Sequence, residues 1–161
     1  MNQRGGMDMN WIQDLITNPL LIGAISAWCV AQVSKVIIYA IVNKKFDISR
    51  LFGDGGMPSA HSATVTSLAT MSALYYGTGS AEFAICAIFA IIVCRDAMGV
   101  RLETGKQAAI IKEIVQAFEE LTKEDLPEIK LKEFVGHTPI QVLVGILVGL
   151  TNALFVHNIL F

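Results

Sequence analysis

Residues 20–42 read LLIGAISAWCVAQVSKVIIYAIV, an apolar run in which Lys35 is the single ionisable charge. The hydrocarbon core of a bilayer needs roughly 20 mostly apolar residues to be crossed by a helix, and this run has that length. Three more stretches approach it, at about 59–77, 81–99 and 140–161. Helices in soluble cores are seldom so long and so unpunctuated. The predicted fold class is therefore all-α: an integral membrane helical bundle of about four spanning helices, built as a single domain over 1–161.

Composition agrees. Hydrophobic residues make up 53% of the chain and charged ones only 16%, outside ordinary soluble usage. The net charge of −2 and the lack of basic blocks interleaved with aromatics exclude a nucleic-acid partner. Cys29, Cys86 and Cys94 lie inside apolar stretches without pairing or ligand spacing, so they read as buried thiols. No small-residue cleavage site follows the first span, which is expected to stay as an anchor.

Working outward from 20–42, Trp11, Ile12, Leu15 and Ile16 form a short amphipathic pattern suited to the membrane surface. The same residues also suit a disordered leader. Gly55-Gly56-Met57-Pro58 leads into the second span, which is rich in the Ala, Ser and Thr that let membrane helices pack closely. Gly77 to Ser80 is a short turn into the third. Thr104 and Gln107 suggest a capping box opening an amphipathic helix, with Ile111, Ile114, Val115, Phe118 and Leu121 on one face and Lys112, Glu113, Glu119 and Glu120 opposite. After a connector broken by Pro127, Thr138-Pro139 reads as cap and first residue of the last span. Gly145 and Gly149 there read as a close-packing motif.

The basic residues orient the chain. Lys44, Lys45 and Arg50 lie between spans one and two; Arg95, Arg101, Lys106, Lys112, Lys123, Lys130 and Lys132 lie around the connector between spans three and four. The positive-inside rule makes that side cytoplasmic, with both termini on the outer side.

An ionisable group inside a bilayer costs on the order of 3 kcal/mol unless it meets a cavity or a partner. Lys35 has two readings: snorkelling to the nearby interface, or service in a site. His61 stands on the first turn of span two and His137 just before the first turn of span four, on the same predicted face as Lys35, Arg95, Arg101, Lys130 and Lys132. Helix N-termini with glycine-rich approaches hold oxyanions well. A histidine nucleophile, a histidine proton donor and cationic clamps are what phosphoryl transfer through phosphohistidine requires. No metal or other cofactor is implied. His157, at the far end of span four, is expected to be an interfacial polar residue.

These residues carry a resemblance. Pro58-Ser59-Ala60-His61 is similar to the Pro-Ser-Gly-His motif of the type 2 phosphatidic acid phosphatase superfamily, related to vanadium haloperoxidases. His137-Thr138-Pro139-Ile140-Gln141-Val142, followed by Gly145, resembles its His-x-Pro-x-Asp motif. Asp96-Ala97-Met98-Gly99-Val100-Arg101 and Gly105-Lys106-Gln107-Ala108 resemble the superfamily's divergent branch. The resemblance implies a phosphatase acting on a lipid-like phosphate. It makes His137 the nucleophile, His61 the acid and Lys35 the phosphate-binding lysine, with Ser59 adding a hydroxyl or backbone contact. No Arg-Pro follows Lys35, and Leu131 stands where a Ser-Arg pair is expected. Arg101, Arg95 or Lys132 would have to supply that charge, and Gln141 replaces the expected carboxylate.

The function expected is hydrolysis of a lipid-like or isoprenoid-like phosphate or pyrophosphate. Its rivals are vanadate-dependent oxidation in the same cradle and a non-catalytic membrane protein that retains phosphate binding. Homo-oligomerisation suits so small a bundle, though no motif demonstrates it. The loop charges yield a sidedness test. In a background without native cysteines, Lys45→Cys and Lys123→Cys should resist membrane-impermeant thiol reagents in intact cells while Gly79→Cys labels; labelling of Lys123→Cys from outside would invert the topology.

Overall fold

The computed structural model describes residues 10–47, 56–123 and 136–160, with Asn10 and Arg101 described by backbone only. They form helices α1 (Asn10–Ile16), α2 (Pro19–Asn43), α3 (Ala60–Tyr76), α4 (Ala81–Met98), α5 (Val100–Thr122) and α6 (Pro139–Leu160), with no strand among the described residues.

Local chemistry sets the boundaries. The Asn18 side-chain oxygen accepts from the Leu20 and Leu21 amides at 3.0 and 3.2 Å, and Pro19 fills the first helical position, where an N–H would lack a partner. Ser59 caps α3 by accepting from the Ser62 amide, and Ser80 caps α4 by accepting from the Phe83 amide. Gly77, at φ 81°, turns the chain between those helices. Thr138 and Gln141 cap α6 reciprocally: the Thr138 amide donates to Gln141 Oε1 at 3.0 Å, and the Gln141 amide to Thr138 Oγ1 at 3.4 Å.

The Thr104–Gln107 pattern does not start a helix. After one irregular residue, Gly99, helix resumes at Val100, which leaves Thr104 a turn inside α5 with its hydroxyl donating back to the Val100 carbonyl at 2.8 Å. With its amide already inside the ladder, Thr104 has nothing to cap. The pattern around Trp11 does form helix α1, and Trp11, Leu15 and Ile16 are exposed on it.

Helix α3 is central, packed against α2, α4 and α6. The order is up-down. Ser59 at the start of α3 lies beside Gly145 near the start of α6, while Met71 near its other end lies against Gly23 near the start of α2. The α3–α6 seam is backbone against backbone: a Cβ on Gly145 would meet the Ser59 carbonyl at 2.5 Å, and one on Gly149 would collide with the Ala63 carbonyl. Small residues bring the helices close enough to gain dispersion energy, the main attraction available in lipid. Deeper in the bundle the Gly23 carbonyl accepts from Ser67 Oγ at 2.7 Å, Ser26 Oγ at 3.0 Å and Asn152 Nδ2 at 3.1 Å, joining α2, α3 and α6.

The periphery is apolar. Ile85, Ile88, Phe89, Ile91 and Ile92 of α4 are all exposed, a run of apolar side chains suited to acyl chains. Among the described residues, three segments are long and apolar enough to cross a membrane: α2, the Ala81–Thr122 run that opens with α4, and α6. α3, the second of the four expected spans, has only 17 residues and a serine-rich inner face.

The seam makes a specific demand on glycine. Gly149→Ala should destabilise the bundle by about 1–3 kcal/mol, the range for overpacking, whereas Gly79→Ala, whose Cβ would meet nothing within 4 Å, should be neutral. Thermal unfolding in detergent micelles checks the contrast.

Candidate active site

The C-terminal ends of α2 and α4 and the N-terminal ends of α3 and α6 converge at one end of the bundle, and main-chain bonds fasten them. The Ser59 amide donates to the Gln141 carbonyl at 3.0 Å, joining α3 to α6. The His137 amide donates to the Ala97 carbonyl at 2.9 Å, joining the approach to α6 to the end of α4. Gly56, at φ 82°, lies over the Lys35 stem, where a Cβ would stand 3.3 Å from Lys35 Cγ. The positive φ favours glycine there, and a Cβ would press on the lysine stem.

The histidines, distant in sequence, become neighbours. Their ring centroids are 6.2 Å apart with the planes tilted by 59°. His137 is buried, 3% exposed, while His61 is exposed. Gln141 Oε1 lies 3.3 Å from His137 Nδ1. Because that same atom accepts the Thr138 N–H, it is the carbonyl oxygen and not the amide nitrogen, so Nδ1–H donates to it. His137 Nε2 then keeps its lone pair. Burial pushes the His137 imidazole below the ordinary histidine range; the Lys35 ammonium and His61 act in the same direction, opposed by the Gln141 bond and the Gly56 backbone.

Lys35 is 5% exposed. It faces a cavity of about 320 Å3 that Tyr39, Met57 and Gln141 also line. Burial of this degree does not match snorkelling, which would carry the ammonium out to water. Ser59 is fully buried, its Oγ accepting from the amide and, at 3.0 Å, the hydroxyl of Ser62; only its hydroxyl hydrogen remains to offer. Arg95 is exposed on the last turn of α4. Arg101 belongs to the first turn of α5 by its backbone, and Lys132 lies outside the described residues. His157 stands at the opposite end, edge-on to Tyr75 with centroids 5.5 Å apart.

Sequence reasoning placed Gly56 and Met57 in the glycine-rich approach to the second span, but missed Tyr39 as part of this cavity and Asn152 as a bundle lock. An asparagine within an apolar span was the available signal for the last; nothing in the sequence marks the cavity wall. Among the described residues no three His, Cys, Asp or Glu side chains are grouped to hold a metal ion. A buried neutral imidazole with a free Nε2, a second imidazole beside it and an ammonium in the adjoining cavity can together receive a phosphoryl group and protonate its leaving oxygen.

Residues 16–152 match the family model described as "Divergent PAP2 family". The chain is 44% identical over 146 residues, 85% of its own length and 92% of the other's, to the "Uncharacterized membrane protein YuiD" of Bacillus subtilis (strain 168). No solved structure matches.

The His137 environment sets a sign. A base with a depressed folded-state pKa contributes stability that is present above its unfolded value of about 6.5 and is lost as pH falls through the folded value. In NMR titration His137 should titrate below about 6.5, and Gln141→Glu should raise its midpoint by placing a carboxylate on Nδ1–H.

Proposed function

The chain belongs to the divergent PAP2 family, and from that membership we propose that it is a membrane phosphatase hydrolysing a lipid-like or isoprenoid-like phosphate or pyrophosphate through phosphohistidine. His137 Nε2 attacks phosphorus, forming a P–N bond as the bond to the leaving oxygen breaks. His61 gives that oxygen its proton. Water then attacks phosphorus with His61 as base; the P–N bond breaks, and inorganic phosphate departs. Lys35, with Arg101, Arg95 or Lys132, neutralises the equatorial oxygens, and Ser59 contributes its hydroxyl hydrogen. The observation that carries this reading is the approach of His61 to His137, 6.2 Å between centroids, with His137 Nδ1 engaged by Gln141. That gap suits a phosphoryl group held between two imidazoles.

In this reading α3 is the fourth membrane-crossing helix, shielded from lipid by α2, α4 and α6, so it does not need their hydropathy. The histidine end faces the cytoplasm, as the basic connectors suggest, and the far end faces outward. The apolar α2 wall of the cavity leading from Lys35 suits a substrate whose phosphate enters from the membrane interface.

A second reading is favoured by one observation. Gln141 Oε1 is closer to the Thr138 amide, at 3.0 Å, than to His137 Nδ1, at 3.3 Å, and an amide brings no charge to offset a developing imidazolium. A protein that binds phosphate without turning it over would tolerate this arrangement.

Phosphate release from a panel of lipid and isoprenoid phosphates separates the two. We expect weak turnover that His137→Ala abolishes and Gln141→Glu raises tenfold or more. The opposite change, a carboxylate orienting histidine becoming its amide, costs up to about four orders of magnitude in a protease. Phosphate binding without release in every form would establish the binder.

A further inference from the structure

The apolar side of α5 is turned away from the protein. Gly105 and Ala108 are buried, so their side of the helix faces the rest of the chain. A helix turns roughly 100° per residue, which sets Ile110, Ile114, Phe118 and Leu121 on the side opposite Gly105. Each of those four is half exposed or more. Among the described residues α5 packs against no helix but α4, so no other helix covers the stripe. A surface helix of a water-soluble protein has the reverse arrangement, with its apolar stripe turned to the core.

The place where α5 starts points to what covers it. α4 opens a run long and apolar enough to cross a membrane, and only Gly99 separates its end at Met98 from Val100, the first residue of α5. Gly99 has ψ −94°, well away from the helical value of about −42°, and breaks the line of the two helices there. α5 therefore begins at the membrane boundary with its apolar side bare. Its charges are mixed: Arg101, Lys106 and Lys112 stand against Glu103, Glu113, Glu119 and Glu120. Attraction to acidic lipids does not drive docking with such a balance, which leaves apolar burial to do so.

We infer that α5 lies in the membrane interface, with Ile110, Ile114, Phe118 and Leu121 sunk among the upper acyl chains of the same bilayer that holds α4, at a depth of about 5–10 Å. The inference stands whether or not the site turns phosphate over. It also sets a level for that site. The Ala97 carbonyl, two residues before Gly99, accepts from the His137 amide at 2.9 Å, so a docked α5 holds the histidine end of the bundle beside the lipid head groups.

Single-cysteine variants of the full chain, in a background without native cysteines, test this once labelled with an environment-sensitive fluorophore and reconstituted into phosphatidylcholine vesicles. Positions 114, 116, 118 and 120 are all exposed, so the bundle should fold with a label at each. Lipids carrying a nitroxide near the head of the acyl chain should quench Ile114→Cys and Phe118→Cys about twofold or more beyond Gln116→Cys and Glu120→Cys, as an interfacial depth requires. Aqueous iodide should rank the four the other way, and exchanging part of the lipid for phosphatidylglycerol should leave both orders unchanged. Iodide reaching all four labels alike overturns the docking, as does nitroxide quenching that appears only with phosphatidylglycerol. Protection of Ile114→Cys and Phe118→Cys from both quenchers overturns it in favour of a protein cover such as a second copy. Strongest quenching of all four by a nitroxide deep in the acyl chain would make α5 part of a spanning helix and overturn it equally.

Discussion

The close approach of α3 and α6 is the constraint on which the other features depend. Gly145 rests on the Ser59 carbonyl and Gly149 on that of Ala63, so only small side chains lie between the two helices there. At that separation the Ser59 amide reaches the Gln141 carbonyl, which places the first turn of one helix beside the first turn of the other. His61 and Gln141 sit on those turns, and His137 one step before. A wider seam would separate the imidazoles, whatever their sequence context.

Much of this is legible in the sequence. The apolar runs located α2, α4 and α6, because hydropathy over some twenty residues is a strong signal. Gly145 and Gly149 were read as packing, which the seam bears out. The misread start of α5 came from treating Thr104–Gln107 as a cap: local capping patterns are short, and Gly99 alone does not hold a helix off for long. The approach of His61 to His137 could be expected from topology, though its distance could not, since it depends on the α3–α6 separation. The cavity wall and the three-way bond to Gly23 were not legible, because each depends on residues from different helices converging.

Gln141 concentrates the tension in the site. One oxygen serves the Thr138 amide, which the helix needs for a satisfied first turn, and the His137 Nδ1–H, which fixes the tautomer. Holding an orientation does not require a charge; stabilising an imidazolium does. Burial lowers the basicity of His137, and the Gln141 bond only partly opposes it. Folding and orientation are thus both satisfied by a residue that would give the proposed reaction less electrostatic help than a carboxylate.

The serines and alanines that line α3 have a thermodynamic consequence. Ser59, Ala63, Ser67 and Ser72 are all buried, and their helix meets its neighbours through dispersion and hydrogen bonds, not through apolar surface withdrawn from water. In a bilayer, separating such helices exposes them to acyl chains, so the hydration term that gives soluble unfolding its large positive heat capacity is mostly missing. The stability of the seam should therefore vary nearly linearly with temperature, with no maximum near ambient conditions and no weakening in the cold. A bundle of this kind would keep its helix ends in register on cooling, with lipid fluidity as the remaining temperature-sensitive element of its surroundings.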